Sequence, residues 1–499
     1  MYSARAARAR FLYTERLGAL GGDGAPSTFV GRLAWGGVAL SGATFRGVRL
    51  DTAEIAALTG GEVVGDVVVA EGATIDSRAV TPGALFVPVV AERDGHVFIA
   101  AAVEAGAGAY LTQQAPLDEV AAPAVRVVDT SAALSVLGSH VRDRIPTVIG
   151  VTGSVGKTSV KDLAAAALSV RHRTAASYRS FNNDLGVPLT LVNAPDDTEV
   201  AVIEMGARGY GHIARLCEVA RPDIAVVTAV AHAHTELFGT IDDVAEAKAE
   251  LVQALRGDGA AVLKETDERV KAMARHTSAD VVTYGIDRGD VRVTELQLDG
   301  HLRPRFRLVT PEGVISLQLT VHGRHNAENA AAAVAVALLA GSSLDDAAEG
   351  LSRAQMSPFR MALHTTPSGA VVVNDAYNAN PESMRAALRS LADLECERRI
   401  AVVGVMAELG DIAEDEHLAI ARLAHDLGIE LLAVDAPLYG VESVPDVDAA
   451  AERLGALGPG DAVLLKGSRV AGLERLADLL LAGAERGRAG ARGLPSWRK

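Results

Sequence analysis

Gly153-Ser154-Val155-Gly156-Lys157-Thr158-Ser159 is the stretch whose residue types and spacing best suit chemistry. Its glycines let backbone N–H groups close on phosphate oxygens, and a helix N-terminus behind them favours negative charge. Lys157 is placed to reach the outer phosphates, and the Thr158 hydroxyl to hold Mg2+. The pattern G-x-x-x-x-G-K-T fails by one residue, since Val151 stands at its first glycine; the tighter T-G-S-x-G-K-T remains. Residues 147–152, Thr-Val-Ile-Gly-Val-Thr, read as the strand that feeds this turn. Strand, glycine turn and helix in that order predict a nucleoside triphosphate site.

Other groups fall where such a sheet would expose them, at the carboxyl ends of its strands. Glu204 ends the apolar run Val200-Ala-Val-Ile203, where a carboxylate suits a Mg2+ ligand or a base that orients water. His234 follows the next strand at the same sheet end. Lys248 shares one face of an expected helix, 241–255, with Val244, Leu251 and Leu255. An inward ammonium near a magnesium nucleotide can snorkel outward or pair with a carboxylate. Alternatively, its neutral amine can take up CO2 to give a carbamate that binds Mg2+. Spacing does not choose between these. Asp375 ends a further expected strand, its carboxylate free for a ribose hydroxyl, and Asn380-Pro381 is a helix start.

The elements that must position these groups form three blocks. In the first, about 50–135, short strands (63–69, 84–90) and helices (51–58, 96–105) are expected. The second opens at Pro146 and alternates strands (147–152, 199–204, 224–230, 260–264) with helices, which implies a parallel sheet covered on both faces. A strand-rich insert (291–321) and an alanine-rich helix (327–340) close it. The third begins near Ser342, with strands at 370–374, 399–405, 431–434 and 461–465. The fold class is therefore α/β, divided as 50–140, 141–345 and 346–485. Residues 1–49 read as a loosely ordered extension or a mis-assigned start, and 486–499 as a frayed tail.

Composition narrows the function. At 499 residues the chain exceeds a single core. A net charge of -15 argues against nucleic acid or an anionic membrane as main partner. Cys217 and Cys396 lack metal-ligand spacing, which suits a reducing cytoplasm. Neither a membrane-length apolar run nor a secretory signal core is present in the sequence.

Taken together, these residues resemble the Mur ligase superfamily, ATP-dependent amide-forming enzymes of peptidoglycan precursor synthesis, from about Asp51 to Leu480. The resemblance rests on the nucleotide loop, Glu204, His234, Lys248 in Ala-Glu-Ala-Lys-Ala-Glu250 and Gly323-Arg-His-Asn-Ala-Glu-Asn329. Asn374-Asp-Ala-Tyr-Asn-Ala-Asn-Pro-Glu-Ser-Met384, Ser180-Phe-Asn-Asn-Asp-Leu-Gly186 and Ala407-Glu-Leu-Gly410 resemble the branch that joins D-alanyl-D-alanine to a UDP-N-acetylmuramoyl tripeptide. Asp76-Ser77-Arg78 matches its uridine-nucleotide-holding N-terminal domain. Departures from the pattern are Ala229, His232, Lys264, Phe359, Val405 and Val90-Ala91.

The resemblance implies a three-domain architecture: a small α/β domain, a P-loop parallel-sheet ATPase domain and a Rossmann-like α/β domain. It implies that ATP phosphorylates the tripeptide's terminal carboxylate and that the dipeptide amine displaces the phosphate. Lys157 would stabilise the transferring phosphoryl group. Thr158 with Glu204 would hold one Mg2+, and His234 with a carboxylated Lys248 a second. Asn326, Asn329, Arg360 and Asp375 would hold the nucleotide, while Ser77, Arg78, Asn182, Asn183, Tyr377, Asn378 and Asn380 would contact substrate. A cytoplasmic monomer is expected. Rival readings are a related ligase with another acceptor and a nucleotide-binding scaffold without catalysis.

Overall fold

The computed structural model describes residues 47–116, 120–231 and 238–482. The expected N-terminal extension, the tail and His234 lie outside the described residues, apart from the first segment's last few positions.

A nine-stranded sheet organises the middle of the chain. Its order is Gly313–Gln318, Pro304–Thr310, Val291–Leu298, Asp280–Ile286, Ala260–Lys264, Ile224–Val227, Thr147–Thr152, Val200–Glu204 and Thr174–Ala176. Pairing is parallel from Thr174–Ala176 through to Val291–Leu298, and antiparallel from Val291–Leu298 to Pro304–Thr310 and on to Gly313–Gln318. The insert expected after the parallel block thus extends the same sheet as an antiparallel edge, and 280–286 is a strand the sequence reading missed. Its alternation is weak, with most positions half-buried.

Alternate strand residues supply opposite faces. Val148, Ala201, Ile203, Ala225 and Val227 pack against helices Thr130–Arg142, Gly186–Val192, His212–Ala220 and Ile241–Gln253. Ile149, Val151, Val202 and Val226 pack against Lys157–Leu168 and His325–Leu339. The small side chains of Ala164–Ala167 and Ala330–Ala333 let these two helices approach closely, buried along their contact.

A six-stranded sheet carries the third block, in the order Ala362–Thr365, Val371–Asn374, Asp461–Lys466, Arg398–Val403, Glu430–Val434 and Ser443–Val444. Only its first pair is antiparallel. In the first block a five-stranded sheet holds shorter strands than expected. The 63–69 strand breaks at Gly65, whose φ is +100°, leaving Glu62–Val64 in that sheet and Val69–Glu71 paired antiparallel with Arg49–Asp51 in a separate two-stranded sheet. The 84–90 strand is cut to Leu85–Phe86, because Pro88 cannot donate to a ladder. The 96–105 helix opens as a 3-10 turn, Gly95–Phe98, before Ile99–Glu104.

Candidate functional site

Sequence forces the phosphate loop into its shape. Gly153 and Gly156 take φ of +147° and +84°, and a Cβ on Gly153 would sit 1.9 Å from Thr228 Oγ1. Thr228 donates its hydroxyl proton to the Val155 carbonyl. Ser154 N donates to Ala229 O at 2.7 Å, and Ser154 Oγ donates to Ala231 O at 2.9 Å. The neighbouring strand therefore ends at Val227 rather than Val230, its following residues being drawn off to brace the loop.

Loop and helix open into an 810 Å3 cavity between the nine-stranded and six-stranded sheets. Lys157 folds over the loop, donating to Gly153 O at 2.6 Å. Burial holds its ammonium below the usual lysine range; Glu204 opposes that shift and Arg360 adds to it. Glu204 is 1 % exposed on the neighbouring strand. Asn182 Nδ2 donates to its Oε1 at 2.8 Å, while Oε2 is buried with no hydrogen-bond partner among the described residues. An unpaired carboxylate oxygen facing a phosphate loop suits a hard cation, and the Thr158 hydroxyl offers a second oxygen. Lys248 is 3 % exposed. Burial, and then the nearby Lys157, push its ammonium down to about 7.

The far wall comes from the third block. Phe359 and Met361, with φ of +63° and +51°, flank Arg360 and aim it at the loop, where Nη2 donates to Thr158 Oγ1 at 2.9 Å. The guanidinium stacks 4.1 Å from the Tyr377 ring centroid. Tyr377 in turn shares a hydrogen bond with Ser180 across the cleft.

The cavity wall gathers Gly153 to Ser159, Asn182, Asn183, Glu204, Lys248, Asn326, Asn329, Arg360, Asp375, Tyr377, Asn378 and Asn380. Ser77 and Arg78 are not part of it: Arg78 pairs with Asp76 at 2.8 Å and its side chain is 87 % exposed. The Asp375 carboxylate is not free, contrary to expectation. Lys466 Nζ donates to its Oδ2 at 2.6 Å and Met361 N to its Oδ1 at 3.1 Å. Asn326 donates to His322 O and accepts from Asn329, and Asn380 caps Pro381–Ala392 through Ser383 N. Asn183 accepts from Gly186 N at 2.9 Å. Lys264, one of the departures, pairs with Glu328 at 2.7 Å in the same wall.

Several buried groups escaped the sequence reading. Lys466 is 2 % exposed and also donates to Asn378 O. Lys161 and Asp162 lie one turn into the phosphate-loop helix. A charge on a helix ordinarily reads as solvated, so nothing in composition or spacing marks them.

A P-loop, an unpaired buried carboxylate and a wall brought in from a separate α/β sheet define a nucleotide-dependent enzyme of the ligase type. Residues 151–337 match the Mur ligase middle domain, and 359–469 the Mur ligase, glutamate ligase domain. The UDP-N-acetylmuramoyl-tripeptide--D-alanyl-D-alanine ligase of Mycobacterium tuberculosis is 39% identical over 87% of this chain and 98% of its own length. The chain belongs to the Mur ligase family. Its structure is similar to that of MurF from Acinetobacter baumannii, with a TM-score of 0.78, 29% identity and coverage of 87% and 99% of the two chains. MurF ligase from Thermotoga maritima in complex with ADP gives a TM-score of 0.73 at 26% identity, covering 83% and 98%.

Proposed function

We propose that this chain joins D-alanyl-D-alanine to UDP-N-acetylmuramoyl-tripeptide, with ATP converted to ADP and phosphate, in the synthesis of peptidoglycan precursor. The observation that carries the reading is the cavity itself. It sets Lys157 and Glu204 on one wall and Arg360 and Tyr377 on the other, in a chain 39% identical to ligases of that name.

The terminal carboxylate of the tripeptide attacks the γ-phosphoryl group, ADP leaves, and the dipeptide amine then attacks the acyl carbon as phosphate departs. Transfer of this kind depends mainly on position and charge neutralisation. The loop N–H groups and Lys157 cradle the phosphates. Arg360 presents a second cation from the opposite wall and trades its Thr158 contact for phosphate. Thr158 and Glu204 would hold Mg2+, which neutralises phosphate charge when bound. Burial lowers the Lys248 ammonium to about 7, which favours a neutral amine that can take up CO2 and would supply a further anion in the same cavity; His234 is the expected companion ligand. Closing the two walls excludes water from the acyl phosphate. Asn329 is proposed to hold the nucleoside, and Asp375 to accept from it only on a lone pair left beside its bonds to Lys466 and Met361 N. Asn182 and Asn183 frame the acyl end, and Ser77 and Arg78 are proposed to meet the uridine nucleotide outside this cavity. We place the reaction in the cytoplasm, on a monomer.

The test is phosphate release from ATP with UDP-N-acetylmuramoyl-tripeptide, comparing D-alanyl-D-alanine with single D- and L-amino acids. Release that requires the dipeptide supports the reading. Release driven equally by a single amino acid assigns the chain to another acceptor, and none with any pair would favour the scaffold.

A further inference from the structure

Lys161 follows Lys157 by one helical turn and is 2 % exposed. Its ammonium has three acceptors around it: Ser177 O at 2.8 Å, Arg179 O at 3.0 Å and Asp162 Oδ1 at 2.8 Å. A buried lysine so completely enclosed is a structural clamp, and what it clamps is informative.

The Ser177–Arg179 stretch leaves the edge strand beside Glu204. Arg179 has a φ of 51°, a left-handed conformation that a non-glycine residue adopts only when held, and Lys161 grips its carbonyl. Two residues before it, Ser177 Oγ accepts from Glu204 N at 3.0 Å. Three residues after it, Asn182 donates to Glu204 Oε1. The clasped segment thus fixes Glu204 through both backbone and side chain, and carries the Ser180 that meets Tyr377.

Asp162 clamps in the other direction. Its Oδ2 accepts from Ser357 N at 2.7 Å and its Oδ1 from Ser357 Oγ at 3.2 Å. Ser357 lies three residues before Arg360, in the stretch whose left-handed residues aim the guanidinium at Thr158. One ion pair on the phosphate-loop helix, its lysine buried and its carboxylate mostly so, therefore ties down both segments that carry the two walls of the reaction centre.

We propose that Lys161 and Asp162 are positioning residues for carboxyl activation: as a pair they register the Glu204 wall and the Arg360 wall against the phosphate loop. The inference rests on the ligase reading above. It requires that breaking the pair lower turnover while nucleotide still binds, because Lys157 and the loop N–H groups are untouched.

Lys161→Met and Asp162→Asn are compared with wild type for kcat of phosphate release, KM for ATP, affinity for Mg·ADP and thermal unfolding. The expected result is a fall in kcat of about tenfold or more, as for displacements of the order of 1 Å, with Mg·ADP affinity retained. Lys161→Met combined with Asn182→Ala should lose less than the product of the two single losses, since both act through Glu204. Wild-type kcat in both variants, losses that simply multiply, or a loss matched by the unfolded fraction would overturn the proposal. Should Lys161→Met not fold, Asp162→Asn, which keeps an acceptor for Ser357 N, decides alone by the same kcat and Mg·ADP readings. No turnover in wild type would instead reject the ligase reading itself.

Discussion

The two walls of the cavity are both built at the carboxyl ends of parallel strands, yet their charged groups are treated differently. On the middle-sheet side Glu204 keeps one buried oxygen unpaired among the described residues, and Lys248 is pressed down to about 7. On the other side Asp375 is bonded to Lys466 and a backbone N–H, and Lys466 also to Asn378 O. Behind that wall His417 uses both ring nitrogens, donating from Nδ1 to Ala413 O and accepting at Nε2 from Met406 N. Buried polar groups are normally satisfied, so an unsatisfied set marks where a ligand belongs. The comparison separates a wall whose carboxylate keeps capacity for a cation from one whose carboxylate is satisfied internally, where Arg360 alone among the cavity groups keeps a buried nitrogen, Nε, unpaired among the described residues.

Substitution can sharpen that contrast. Lys157→Ala should lower phosphate release by about a thousandfold, about 4 kcal/mol, with an unchanged unfolding midpoint. Lys466→Met should act in the opposite sense, costing about 3 kcal/mol of stability by stranding the Asp375 carboxylate; denaturant unfolding measures it. Glu204→Gln should slow release about a hundredfold and raise the Mg2+ concentration needed, because one buried charge is lost where the cation belongs. If Glu204→Gln destabilised the fold as much as Lys466→Met, the two walls would not differ in kind.

Lys248 gives a pH-dependent effect. Its ammonium is held at about 7 in the folded chain against an ordinary 10.5, so the unfolded chain binds the extra proton between these values. Stability of the nucleotide-free, unmodified protein should therefore rise as pH climbs from about 7 to 10.5, relative to Lys248→Met. The penalty for the buried charge is fully present below about 7. Activity of Lys248→Ala that recovers with short carboxylates would point to a carbamate; no recovery would favour pairing. The smallest effect is expected at Asn380→Ala, about 1 kcal/mol in unfolding for the lost cap, with modest loss of activity.

What could be read ahead of the fold followed local rules. Gly153 and Gly156 announce a turn, the runs at 147–152 and 200–204 announce buried strands, and Asn380-Pro381 announces a helix start. The strands 280–286 and Ala362–Thr365 escaped because half-buried positions carry weak alternation, the first inside its sheet and the second at a sheet edge. Charged residues inside helices and strands escaped too, since Lys161, Asp162 and Lys466 look no different in sequence from solvated ones.

The chain's own order of residues determined its strand-turn-helix phosphate loop, its α/β class and the carboxylate placed at Glu204, because backbone preference and side-chain periodicity act over a few neighbours. Only the folded molecule decided that Asp375 is bonded to Lys466, that Arg360 reaches Thr158, and that one ion pair joins residues 177 and 357. Those pairings cross 91, 202 and 180 positions, far beyond any local rule. They exist because burial leaves each charge the choice of a distant partner or a heavy desolvation cost.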